Sequence, residues 1–349
     1  MSQMVRAETG ARLRLSFAFA AVATAFVAGC GGSGGTAPET APTPPAPAPV
    51  AKVSSLGDFP DPFLLEDNGV TYAFATNSGN RNVQVARSTD RISWQARPDA
   101  MPQKPGWAKQ NFGFVWAPEV LKLGNRYLMY FAARDAASDK QCVGVAEAQS
   151  PEGPYVDSRN APLVCQVAEG GSIDASPLRV GDQLYLYYKN DGNCCNLPTS
   201  LYGQRLSADG LQLQGEPVKL LTNQPNSWEG TVIEAPTMWV RNGLHYLFYS
   251  AGHYGDATYA MGYATCAGPL GPCERAPGNP ILKSRADTSP PLVGPGHQGL
   301  LQVGDQTWIA YHAWEITAQG TRGTRRFMYL DRLDWEDNKP VVRGPTMVP

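Results

Sequence analysis

The chain predicts an all-β fold, a five-bladed β-propeller, and three observations carry that reading. Five segments share one order of features: a carboxylate or other polar residue near a proline or glycine, a short apolar run, a turn with glycine, then an aromatic strand. Aligned on Gly69, Gly124, Gly181, Gly243 and Gly304, these segments recur every 55 to 62 residues. Each period holds a further strand-like piece, such as residues 83–88, 142–148, 201–206 and 259–264, while helical periodicity is weak throughout. Five units of about 60 residues fill 51–349, and a repeating four-stranded unit is the mark of a propeller blade. A β-sandwich, the main rival, leaves the repetition unexplained.

The first 50 residues stand apart from this repeat. Arg6, Arg12 and Arg14 precede an apolar run, residues 17–27, which ends in Val27-Ala-Gly-Cys30. That order reads as a lipoprotein signal over 1–30, with Cys30 as the lipidation site. The run is shorter than the ~20 residues of a membrane-spanning helix. Residues 31–50, first Gly/Ser-rich and then Pro-rich, read as a spacer that holds a domain away from a surface. The expected location is the bacterial cell envelope, exported and lipid-anchored, or outside the cell if the segment is an ordinary secretory signal.

Within 51–349 the five units follow in order. They run Pro60-Asp-Pro-Phe-Leu-Leu-Glu-Asp-Asn-Gly-Val-Thr-Tyr-Ala-Phe74, then Trp116-Ala-Pro-Glu to Tyr130, Asp174-Ala-Ser-Pro to Tyr188, Thr231-Val-Ile-Glu-Ala-Pro to Ser250, and His297-Gln-Gly to Tyr311. In the fourth, Asn242-Gly243 reads as a two-residue hairpin turn between strands at 237–241 and 244–250. Both faces of Leu244-His-Tyr-Leu-Phe-Tyr249 carry large side chains, which suits a strand with protein packed on either side. A propeller brings equivalent positions of its innermost strands together at one axis. Asp61, Asp174 and Glu234, each at the head of its unit, are therefore expected to share a pocket. The apolar neighbours of Glu234 are expected to push its pKa upward, as a general acid requires.

Composition narrows the partner. Of 349 residues, 36 are Gly, 30 Pro, 15 Tyr and 8 Trp, and the formal net charge is −2, so neither nucleic acid nor an anionic surface is favoured. Converging carboxylates in a near-neutral, aromatic-rich chain point to glycoside hydrolysis, in which one carboxyl protonates the leaving oxygen and another activates water or attacks. After Cys30, six cysteines remain, an even number that fits disulfides in an exported chain. Cys266 with Cys273 is the first pairing expected and Cys142 with Cys165 the next. Cys194 and Cys195 are left as a vicinal disulfide or as two free thiols.

Six short motifs in order give a more specific likeness: Phe59-Pro-Asp-Pro-Phe63, Val115-Trp-Ala-Pro-Glu119, Ser172-Ile-Asp-Ala-Ser176, Val232-Ile-Glu-Ala-Pro236, Gly294-Pro-Gly-His297 and Ala310-Tyr-His-Ala-Trp314. Together they resemble glycoside hydrolase family 43, from about Gly57 to the C-terminus. The resemblance implies a five-bladed propeller that cleaves arabinosides or xylosides with inversion. It implies Asp61 as the base that activates water, Glu234 as the general acid, and Asp174 as the carboxylate that tunes and orients it. In an inverting pair the acid and base stand roughly 6.5–9.5 Å apart. Trp116 is the expected aromatic contact to a sugar face, with Glu119 as a hydrogen-bonding support. Arg325, or Arg326 beside it, is expected to reach a sugar hydroxyl. The family's Gly-Pro-Gly-His segment puts His297 near a cation, commonly calcium, on the axis, with waters completing its shell, although the chemistry requires no cofactor; His312 reads as structural. The expected substrate is an arabinose- or xylose-containing oligosaccharide or polysaccharide, acted on by a monomer. A non-catalytic carbohydrate-binding lipoprotein on the same propeller is the alternative.

Overall fold

The computed structural model describes residues 50–51, 55–345 and 347–348. The expected lipoprotein signal with Cys30, and all of the expected spacer except Val50, lie outside the described residues.

β1 (Val50–Ala51) is followed by five antiparallel sheets in chain order. Blade 1 holds β2 (Phe63–Asp67), β3 (Val70–Ala75), β4 (Gln84–Ser88) and β5 (Gln95–Ala96). Blade 2 holds β6 (Val115–Leu123), β7 (Arg126–Arg134) and β8 (Gln141–Ala148). Blade 3 is β9 (Ser172–Val180), β10 (Gln183–Asn190), β11 (Ser200–Leu206) and β12 (Leu213–Thr222). Blade 4 is β13 (Ile233–Arg241), β14 (Leu244–Ala251), β15 (Ala260–Cys266) and β16 (Cys273–Arg275). Blade 5 is β17 (Gly296–Val303), β18 (Gln306–Ile316), β19 (Arg322–Glu336) and β20 (Lys339–Val342). β21 (Met347–Val348) pairs back onto β1, tying the two ends of the domain together. Two 3₁₀ turns, Val167–Glu169 and Gly192–Cys195, are the only helical elements among the described residues.

The five glycines that aligned the repeat all sit in the turn between the first two strands of a blade. At Asn242-Gly243 both residues have positive φ, 51° and 78° for the equivalent Asn68 and Gly69 of blade 1, and 51° and 77° here. Positive φ at both central positions is the primed turn that matches strand twist. Arg241 and Leu244 consequently face each other directly across the hairpin.

Blade 2 departs from the four-stranded expectation. Its outer edge is reduced to isolated bridges, Glu147 with Val156, Val143 with Val164 and Gln141 with Gly171. Pro151 and Pro154 have no amide to offer a ladder there, and the Tyr155 amide donates to Ala100 O of the blade 1 segment instead (2.8 Å).

The core is divided among the blade interfaces. One buried cluster joins blades 1 and 2, through Phe74, Val85, Met129 and Phe131. Others join blades 2 and 3 (Leu128, Tyr130, Leu186, Tyr188), blades 3 and 4 (Tyr187, Leu201, Leu247, Tyr249) and blades 4 and 5 (Tyr246, Phe248, Ile309, Tyr311). A fifth closes the ring, packing Phe59, Leu64 and Ala73 of blade 1 on Leu301, Ala310 and Met328 of blade 5. This explains the double-faced apolar strand at 244–249: Leu247 and Tyr249 face blade 3, while Tyr246 and Phe248 face blade 5.

All three disulfides are formed: Cys142–Cys165, Cys194–Cys195 and Cys266–Cys273. The last staples β15 to β16 at directly paired positions. The open question at Cys194 and Cys195 resolves as the vicinal bond.

Candidate active site

The innermost strands β2, β6, β9, β13 and β17 neighbour one another in a ring, and four of them carry a β-bulge at the same place. Within each bulge one non-glycine residue has a left-handed backbone: Ala117 (φ 46°), Asp174 (56°), Ala235 (53°) and His297 (54°). Asp61 (φ 57°), just before β2, is the blade 1 counterpart. Such backbones cost about 1–3 kcal/mol each and persist only where the surroundings over-determine them. Bulges re-aim side chains, and here the aimed residues meet. Asp61, Ala117, Asp174 and His297 line one cavity of about 310 Å³. In blade 4 the lining residue is Glu234, immediately before the left-handed Ala235. The sequence expectation that Asp61, Asp174 and Glu234 share a pocket holds, with Glu234 displaced by one position.

Asp61 is held by a guanidinium, an imidazole and a hydroxyl. Its Oδ1 lies 3.2 Å from Arg326 Nη1 and 3.3 Å from His297 Nδ1, and its Oδ2 accepts from Thr76 Oγ1 at 2.5 Å. The Thr76 hydroxyl is in turn oriented by the Ala117 amide of blade 2, 2.9 Å away. Burial alone would raise the Asp61 pKa, but the Arg326 guanidinium and the His297 ring beside it hold it well below the usual carboxylate range. His312 is fully buried and its Nδ1 accepts from the Asp61 amide at 3.1 Å. Burial pushes its pKa down to about 4, so it stays neutral and anchors the Asp61 backbone rather than carrying charge.

Glu234 has a different setting. Its Oε1 accepts from the Tyr259 hydroxyl at 2.7 Å and its Oε2 from Lys189 Nζ at 3.2 Å. The close approach of Tyr259 depends on Gly296, where an added Cβ would fall 2.0 Å from the Tyr259 ring. Burial favours the neutral acid, but Lys189 and Tyr259 outweigh it and lower the Glu234 pKa. This corrects the expectation drawn from the apolar neighbours in sequence. The raised group is Asp174, pushed up to about 6 by burial and, in smaller part, by the Glu234 charge; its one hydrogen bond shown is from the Ala235 amide at 2.9 Å. The two carboxyls act as one titrating unit, and at mildly acid pH they hold one proton between them.

Glu119 is buried, outside the cavity lining, and burial pushes it up to about 8, with Asp174 adding to the rise. It is therefore a protonated partner of Ser176 rather than a fourth carboxylate of the cavity. Trp116 lines the cavity, as expected of a sugar-facing aromatic. Arg325 does not reach it. Its guanidinium pairs with Glu315 and lies over Phe327, because successive residues of β19 point to opposite faces. Arg326 is the arginine that enters, stacked over Tyr254 and Trp314 at 5.4 and 5.8 Å. His297 faces the cavity too, with its Nδ1 beside the Asp61 carboxylate. No cluster of three or more His, Cys, Asp or Glu side chains suited to a metal occurs among the described residues. An ion on the axis would be held by His297 with waters completing its shell, and no step below passes through one.

One cavity thus holds a carboxylate kept ionised by the Arg326 guanidinium and a second carboxyl pair that retains a proton. A family model for glycosyl hydrolases family 43 matches residues 51–340. The chain belongs to this family of glycosidases. Among solved structures, a thermostable family-43 glycoside hydrolase superposes with a TM-score of 0.76 at 31% identity, covering 86% of this chain and 98% of that one. An endo-1,4-β-xylanase from Bacteroides thetaiotaomicron superposes at 0.71 with 26% identity, covering 84% and 97%. The β-D-galactofuranosidase XynD of Aspergillus niger is 27% identical, covering 82% of each chain. A probable arabinan endo-1,5-α-L-arabinosidase C of Aspergillus flavus is 26% identical, covering 81% of this chain and 90% of its own.

Four residues of this family-43 site carry no mark in the sequence reading: Thr76, Lys189, Tyr259 and Asn193. Lys189 had a signal available. It lies on the same face of β10 as Tyr185 and Tyr187, which pack against blade 4.

Proposed function

We propose that this glycosidase hydrolyses α-L-arabinofuranosyl or β-D-xylosyl linkages with inversion, with arabinosides the favoured substrates. The observation that carries the reading is the convergence of three carboxyls in one cavity, Asp61 beside the Arg326 guanidinium and, apart from it, Asp174 with Glu234. Asp61 takes a proton from a water as the water oxygen bonds to the anomeric carbon. The bond from that carbon to the leaving oxygen breaks on the other side, and Glu234 protonates that oxygen. Asp174 keeps the proton within the pair. Trp116 offers a face to the sugar ring, and Arg326 fixes Asp61.

The test is turnover by purified protein on aryl α-L-arabinofuranoside, β-D-xyloside and β-D-galactofuranoside and on arabinan, with the first anomer formed read by NMR. Hydrolysis of an arabinoside or xyloside with inverted product supports the reading. A retained anomer overturns the mechanism, and binding without turnover favours a sugar-binding protein instead.

A pH dependence follows from the same groups. Asp61 is ionised down to well below the usual carboxylate range, so the acid limb of kcat/KM is expected at low pH. The pair loses its last proton as pH rises through about 6, the value to which Asp174 is pushed, so activity should fall above it. A profile flat from pH 5 to 9 would contradict the shared proton.

The Cys30 lipid anchor rests on sequence alone. Incorporation of labelled palmitate by the wild-type chain and not by Cys30→Ala is its test.

A further inference from the structure

Lys189 is a buried charge to which the reaction above gives no role. Its side chain is 0% exposed, and a lysine so far from water is tolerated only when paired. Two partners meet it: Glu234 Oε2 at 3.2 Å and Asn193 Oδ1 at 2.6 Å. Asn193 belongs to the 3₁₀ turn Gly192–Cys195, which the Cys194–Cys195 bond closes. The turn is pinned at both ends. Asn190 Nδ2 donates to Glu169 O (3.1 Å) and Pro198 O (3.0 Å), and Asn190 Oδ1 accepts from the Ser200 amide (2.6 Å). Cys195 Sγ sits 3.1 Å from Lys140 Nζ. A Cβ at Gly192 would fall 2.5 Å from Pro198 O, so the turn also packs tightly on its own return. Asn193 and Cys194 both line the catalytic cavity.

We infer that Lys189 is a positioning residue for the acid: anchored through Asn193 to the vicinal-disulfide turn, it fixes the Glu234 carboxyl and sets which member of the carboxyl pair carries the proton. The inference rests on the proposed role of Glu234. The groups that face Glu234 come from several elements: Lys189 on β10, Asp191 just after it, Asp174 on β9, Tyr259 before β15 and His297 on β17. Lys189 and Tyr259 are the ones shown donating to the Glu234 carboxyl. Tyr259 is neutral, its own pKa pushed well above the ordinary value by burial and by Glu234, so the lysine is the cation that Glu234 loses on substitution.

The experiment is the pH profile of kcat/KM on an aryl glycoside with a poor leaving group. It compares wild type with Lys189→Met, Lys189→Arg and Asn193→Ala, with folding checked by circular dichroism. Lys189→Met removes the cation, so the pair should keep its proton longer and the alkaline limb should move up by about one pH unit. Lys189→Arg retains the charge and should leave the limb near its wild-type place. Asn193→Ala, at an exposed side chain, frees the ammonium to pair with Glu234 alone, and the limb should move down. A merely structural lysine would lower activity equally at every pH and on both variants. Unmoved limbs in folded Lys189→Met and Asn193→Ala overturn the inference; if Lys189→Met does not fold, Asn193→Ala decides it. Failure of the Glu234 assignment is read separately, because Glu234→Gln would then keep the wild-type alkaline limb and show no dependence on leaving group.

Discussion

Asp61→Gly is expected to lose hydrolysis of every glycoside, good or poor leaving group alike, by at least about 10²–10⁴ in kcat. The base acts on water, and water must be activated whatever departs. Glycine is the informative replacement because Asp61 has φ 57°, a conformation that costs glycine nothing and most side chains about 1–2 kcal/mol. The amide that donates to His312 Nδ1 belongs to the backbone and survives the change. What remains is a small space beside Arg326 and His297, two donors that had faced the carboxylate at 3.2 and 3.3 Å. Azide should enter that space, attack the anomeric carbon and restore turnover, yielding a glycosyl azide of inverted configuration. Full activity in the folded variant would remove Asp61 from the reaction. Azide rescue that gave the retained anomer would place the nucleophile on the other face of the ring.

The repeat was readable because each blade must solve the same problem. Its first two strands need a primed turn, so a glycine recurs, and its inner positions need large apolar side chains facing two neighbours. Those demands are local and they mark the sequence. The meeting of Asp61, Asp174 and Glu234 followed from the ring, since strands at one axis bring heads of units together. The electrostatics were a different matter. Val232-Ile and Ala-Pro around Glu234 describe its neighbours along the chain, while the partner that decides its ionisation, Lys189, comes from the next blade. The same holds for Arg325 and Arg326: only the pairing of β19 with β18, which sets Arg326 opposite Trp314, tells which guanidinium turns to the cavity. The missing fourth strand of blade 2 was legible in principle, because Pro151 and Pro154 fall where a ladder would need amides.

Glu234→Gln and Glu234→Ala together separate chemistry from packing at the acid. Either change removes the proton donor, so hydrolysis of a poor leaving group, such as an alkyl alcohol or a second sugar, should fall by about 10²–10⁴. A dinitrophenolate needs no proton, so its release should fall far less. Equal losses on both substrates would argue that Glu234 does not protonate the leaving oxygen. The two variants should differ in stability. Both changes take the carboxylate from the buried Lys189 ammonium, but glutamine can still accept from Tyr259 or Lys189, whereas alanine leaves both donors without an acceptor there, a further loss of about 1–3 kcal/mol. Glu234→Ala should therefore unfold at markedly lower denaturant than Glu234→Gln while showing the same leaving-group dependence. Coincidence of the kinetic defects with divergence of the stabilities would place proton donation in the carboxyl group itself, apart from its part in holding the lysine.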